Sequence, residues 1–142
     1  MQWTKEKFIE DLHKNAPQEV LKISETLCDF AEENADEVAW GRGSDYGTVS
    51  FRTNSDFGLI SLYLLTSRGK IKFHINAMRQ KNLPKPVLKD YLIKLESNFL
   101  MDFDVANYPS DILEDIGELF TTSTQLTKFK QCIEGIVYRL KQ

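Results

Sequence analysis

Residues 46–76 read YGTVSFRTNSDFGLISLYLLTSRGKIKFHIN, and this stretch decides the fold class. Val49 and Phe51 alternate with Thr48, Ser50 and Arg52, the period of two that gives a strand one buried face and one wet face. Phe57 to Leu65 is apolar at nearly every position except Ser61, which predicts cover on both faces and a central place in a sheet. Ser67-Arg68-Gly69 then makes a short turn, because glycine takes the positive φ of a hairpin loop. Beyond the turn Ile71, Phe73 and Ile75 point inward, while Lys70, Lys72, His74 and Asn76 point outward. With a further strand before it, the stretch predicts about four antiparallel strands, near Val38–Trp40, Tyr46–Arg52, Phe57–Leu65 and Lys70–Asn76.

On either side of these strands the apolar period changes to that of helices. Thr4 is placed to cap a first helix, with Trp3 and Phe8 in the two positions of a hydrophobic staple. A second helix begins after Asn15-Ala16-Pro17 and carries Val20, Ile23, Leu27, Phe30 and Ala31 on one face. Pro84-Lys85-Pro86 opens a third, with Leu88, Tyr91, Leu92, Leu95 and Phe99 aligned. Ile112, Leu113, Ile116, Leu119 and Phe120 mark a short amphipathic segment weakened by Gly117. Thr122 and Gln125 have capping-box spacing before a last helix with Leu126, Phe129, Ile133, Ile136, Val137 and Leu140 in its stripe. The expectation is one α+β domain over residues 1–142, a curved antiparallel sheet packed against N-terminal and C-terminal amphipathic helices.

At 142 residues one core suffices, and folding removes roughly 70% of the unfolded chain's surface from water. With 42% hydrophobic and 27% charged residues the composition is that of a globular protein. The longest apolar-leaning stretch is far short of the roughly 20 residues that cross a bilayer, so no membrane partner is expected. Met1-Gln2-Trp3-Thr4-Lys5-Glu6 has neither the basic start nor the apolar run of a secretory signal, and a cytoplasmic location follows as an expectation. Cys28 and Cys132 fall among apolar helix positions, where they read as small core residues rather than a disulfide.

Motifs for chemistry are scarce. Gly41-Arg42-Gly43-Ser44-Asp45-Tyr46-Gly47 has the glycine density of a phosphate loop, yet it lacks the Walker lysine and leads into a strand rather than a helix. It reads as a connection between strands, from which Arg42 and Asp45 are exposed. His13 and His74 are the only histidines and neither has a second ligand at zinc spacing, so no metal and no cofactor is expected. Asp56 suggests the first acid of a magnesium nuclease site, but the next strand has no acid two residues before Lys70, Lys72 or any other lysine.

Charge placement does depart from uniformity. Residues 1–37 carry four lysines and arginines against ten acids, residues 67–89 carry seven against none, and residues 90–142 return to five against nine. The chain totals −3, but its centre is basic. Arg68, Lys70, Lys72, Arg79 and Lys81, with Arg42, Arg52 and His74, are the candidate binding residues, since a basic stripe on a strand face can follow a phosphate backbone. The bland account is that these cations solvate an edge or balance the acidic helices.

Trp40-Gly41-Arg42-Gly43, Tyr46-Gly47-Thr48-Val49-Ser50-Phe51 and Gly69-Lys70-Ile71-Lys72-Phe73 together resemble a small module of uncharacterised bacterial proteins. That module has a Trp-Gly-X-Gly turn, a Gly-Ser-Phe-like strand and a Gly-X-Ile-X-Phe-like strand, and it looks like an accessory piece of proteins predicted to act in DNA restriction or repair. The likeness covers residues 38–75 and departs at Thr48-Val49; it implies no catalytic residues. Three functions are expected in turn: a non-enzymatic domain contacting nucleic acid or an acidic protein; an interaction domain that forms a homodimer by burying one sheet edge; and an enzyme assembled from scattered residues, with Asp45, Asp56 and His74 as members.

Overall fold

The structure, a computed structural model, describes residues 2–142. Eleven elements follow one another: α1 (Lys5–Asn15), α2 (Gln18–Asn34), β1 (Glu37–Trp40), β2 (Thr48–Ser55), β3 (Gly58–Thr66), β4 (Lys70–Phe73), α3 (Ile75–Arg79), α4 (Lys85–Phe99), β5 (Leu113–Asp115), α5 (Ile116–Leu119) and α6 (Ser123–Leu140). The strands form one antiparallel sheet in the order β1-β2-β3-β4-β5, so the α+β class holds and the sheet has five strands rather than about four. β3 occupies the centre.

Helix starts follow the sequence signals. Thr4 Oγ1 accepts from Lys7 N at 3.2 Å, and Thr122 and Gln125 form the capping box at the head of α6. Pro84 stands at the N-cap of α4 with Pro86 in its first turn. Trp3, packed against the core, has a further use. Its ring lies so close to Gly47 that a Cβ there would come within 2.5 Å of it, and its Nε1 donates to Gly43 O at 2.7 Å. The glycine-rich segment 41–47 is thus a seat for Trp3 that only a glycine at position 47 allows.

The register explains the apolar density of β3. Phe51 pairs with Tyr63 but Arg52 pairs with Ser61, so Leu62 is the extra residue of a β-bulge. The bulge shifts the alternation by one. Ile60 before it, Leu62 in it, and Tyr63 and Leu65 after it, are all buried, while Ser61 and Leu64 are half-buried. The phase change accounts for the adjacent buried residues Leu62 and Tyr63, and on the opposite face Ser50 and Thr66 are buried as well, so that face is covered in part.

Phe8 of α1 meets Trp40, Phe30 of α2 meets Phe51, and Phe129 of α6 meets both Tyr63 and Phe73, with ring centroids 5.4–5.8 Å apart. Phe99 of α4 joins the same ring cluster through Phe73 and Phe129. These contacts place the helices on one face of the sheet. Tyr63 closes its polar end by donating from its hydroxyl to Leu27 O at 2.9 Å. Cys28 and Cys132 are free and buried, and burial pushes the Cys28 thiol up to about 12.

Two elements differ from expectation. The fourth strand stops at Phe73, three residues short of Asn76, and Ile75 begins a helix. The cause lies far away in sequence: Asp111 Oδ1 accepts from Asn76 N at 2.9 Å and its Oδ2 accepts from Ala77 N at 3.2 Å, holding the first turn of α3. Ile75 is buried either way. The segment around Leu113 is not a helix throughout; residues 113–115 form β5, pairing Lys72 with Leu113, Ile71 with Glu114 and Lys70 with Asp115, before the single turn of α5.

Candidate functional site

Because β4 pairs only with residues 63–65 of β3, the first half of β3 has no strand on that side, and α3 lies against it instead. A cleft of about 280 Å³ opens there, lined by Arg52, Leu59, Ile60, Ser61, His74, Ala77, Met78 and Lys81. The sheet register brings Arg52 to it. Arg52 faces away from the helices, with Glu37 beside it on β1 and Ser61 beside it on β3. His74 stands at the joint where β4 becomes α3, and Lys81 follows α3 by two residues.

Two of the cleft's lining residues carry a nitrogen that is buried and has no hydrogen-bond partner among the described residues, Arg52 Nε and His74 Nε2. Nearly all buried polar atoms in proteins are paired, and leaving one unpaired costs about 1–3 kcal/mol. The other end of the Arg52 guanidinium reaches Glu37 Oε2 at 3.4 Å, an exposed and long contact that does not use Nε. Lys81 is exposed at the mouth. An Arg Nε–H can only donate, a Lys ammonium can only donate, and imidazole can donate from Nε2, so the three together ask for a ligand rich in acceptors.

Burial lowers the His74 pKa from 6.5, Asp111 raises it, and Lys72 and Arg52 lower it further, with a net fall. Charging His74 is therefore resisted by its burial and by the same cations that would attract an anion. Lys72 lies one row along the outer face, between Leu64 and Leu113.

The remaining basic residues are elsewhere. Arg68 donates from Nε to Asp11 Oδ2 at 3.0 Å and from Nη2 to Asp45 O at 3.1 Å, on the far side of the β3–β4 turn. Burial pushes the Asp11 carboxyl up, but its bonds from Ser67 and Arg68 outweigh that and hold it below its ordinary value. Lys70 is paired with Asp115 across β4 and β5. Arg79 donates to Asn76 Oδ1 at 2.8 Å and to Phe103 O, bracing the loop after α4. Arg42 is exposed in the segment that seats Trp3. Of the eight residues singled out by charge, three meet in the cleft, Lys72 is near it, three are bound to partners within the chain, and one stands apart.

Asp45, Asp56 and His74 do not meet. Asp45 precedes β2 and Asp56 follows it, and a strand of 8 residues holds them roughly 25 Å apart. Among the described residues no group of three or more His, Cys, Asp and Glu side chains is gathered to hold a metal ion, and no helix is long and apolar enough to cross a membrane. Sequence reasoning missed Ser61 and Asp111. Ser61 was visible as the one polar break in the run from Phe57 to Leu65; Asp111 had no signal, since its bonds to α3 span 34 and 35 residues.

No family model matches the chain, and neither the curated proteins nor the solved structures contain a match to it.

Proposed function

We propose that this chain is a binding domain that takes a single phosphate group of a nucleic acid into the cleft formed by Arg52, His74 and Lys81. The observation that carries the reading is a pair of buried, unpartnered nitrogens, Arg52 Nε and His74 Nε2, on two residues that line one cleft. A phosphate oxygen accepts from both, and the exposed ammonium of Lys81 closes on a second oxygen. The stripe as a whole is not a backbone track, because Asp11 and Asp115 occupy Arg68 and Lys70. The likeness of residues 38–75 to a restriction or repair module favours nucleic acid as the carrier of the phosphate.

Fluorescence anisotropy with short oligonucleotides at rising salt tests this. Neutralisation of a single phosphate predicts a slope of about −0.7 to −0.9 in log K against log salt, whereas a stripe of seven arginines and lysines each meeting its own phosphate would give about −5 to −6. Arg52→Ala should reduce affinity at least about tenfold, as loss of a charged hydrogen bond worth roughly 1.5–3 kcal/mol does. No binding at low salt, or binding indifferent to Arg52→Ala, would remove the proposal; binding of an acidic peptide but no oligonucleotide would give the cleft a carboxylate instead.

A further inference from the structure

On the other flank of α3 a larger groove of about 530 Å³ runs along α4, where Lys85, Lys89, Leu92, Ile93 and Glu96 line it. The apolar residues of its lining and of the helix end are not all covered. Ile93 is 52% exposed and Leu100, at the end of the helix, is 94% exposed. Leu100 is the C-cap residue, seven positions after Ile93 and just past Phe99, the last residue of the helix. Leu100 has φ +54°, a left-handed conformation that suits glycine at a helix end and gives leucine no backbone advantage. Neither packing nor backbone preference within one chain accounts for leucine there. Val105, next in sequence to the groove-lining Asp104, is 62% exposed.

Lys89, Leu92, Ile93 and Glu96 stand at i, i+3, i+4 and i+7, the spacing of the four residues that form a hole for one side chain of a facing helix. The stripe is also complementary to itself. A two-fold axis between Leu92 and Ile93 sets an antiparallel copy of α4 so that Lys89 faces Glu96 of the second copy and Lys85 faces its Leu100. Lys89 and Lys85 have no ion-pair partner among the described residues. As like charges four residues apart on one helix they oppose each other, and a carboxylate from outside relieves that. Glu96 commits only Oε2 within the chain, to Phe103 N at 2.8 Å, and Oε1 is left to reach across. The methylene stem of Lys85 can lie over Leu100 with its ammonium in water.

We propose that α4 is the contact face of a homodimer, in which Ile93 of each copy enters the hole of the other and Lys89 pairs with Glu96 across the two-fold axis. The contact is isologous and closed, so it stops at two chains. One helix and a loop form an interface at the small end of the specific range, and the dimer dissociates on dilution.

Sedimentation of the full chain tests it. The wild type should move from its 16.4 kDa chain mass toward twice that mass as concentration rises. Ile93→Asp should remain a monomer at the same concentrations with an unchanged far-ultraviolet circular dichroism spectrum. Lys89→Glu should weaken association at least about tenfold, and the exchanged pair Lys89→Glu/Glu96→Lys should recover part of it. A wild type that stays monomeric up to millimolar concentration, or a dimer that survives Ile93→Asp, overturns the proposal.

Discussion

His74 and Arg52 show how much of a binding site a single residue type can carry and how much it cannot. Both were visible in the sequence as polar positions on the wet side of a strand, and both are on the outer side of the sheet or at its end. That one nitrogen of each is buried without a partner was not visible, because it depends on α3 folding back beside β3. The burial has a pH consequence. The unfolded chain takes up a proton at the ordinary 6.5 and the folded chain at a lower pH, so stability contributed by neutral His74 is present above 6.5 and falls as pH drops through that value toward the lowered one. A bound phosphodiester, which does not itself titrate in this range, stabilises the charged imidazole and raises its pKa. Oligonucleotide affinity should therefore increase as pH falls from 7.5 toward about 5.5, and His74→Phe should flatten that profile while leaving the protein folded. Anisotropy titrations across this range check the sign directly; an affinity that falls on acidification contradicts the role given to His74.

At the scale of elements, the local signals succeeded where the partner of a signal lay within a turn or two. Thr4, the Pro84–Pro86 entry to α4 and the Thr122–Gln125 box all begin helices as their spacing implies. They failed at β4 and β5. β5 has three residues, too few to display a period, and its place beside β4 is set by pairing rather than by pattern. The end of β4 is imposed by Asp111, whose carboxylate supplies the cap that α3 lacks in its own sequence. Asp111→Ala should accordingly destabilise the fold by about 1 kcal/mol, the ordinary cost of losing a side-chain cap, seen as a lower urea midpoint at an unchanged m value. The same change should loosen the wall of the cleft and weaken anion binding, although Asp111 does not line it. Full stability of Asp111→Ala would show that α3 is held by Ile75 and Met78 packing alone.

For the molecule as a whole, the uneven placement of charge along the chain was legible and its meaning was not. Seven cations without an acid between residues 67 and 89 suggest one surface, yet folding distributes them among several. Arg68 meets Asp11 of α1, Lys70 meets Asp115 of β5, and Arg79 turns into the loop after α4. Each of these acids lies more than 20 residues from its cation in sequence, and no period relates them. What survives is local: Arg52, His74 and Lys81 around one cleft, joined by residues of three different elements and a loop. The most direct measurement is nitrogen-15 nuclear magnetic resonance of the arginine Nε–H and imidazole Nε2 signals during titration with a short phosphodiester. The account predicts that Arg52 Nε and His74 Nε2 shift together and saturate with one affinity while Arg68 stays still; shifts confined to exposed lysines, with both buried nitrogens unmoved, would contradict it.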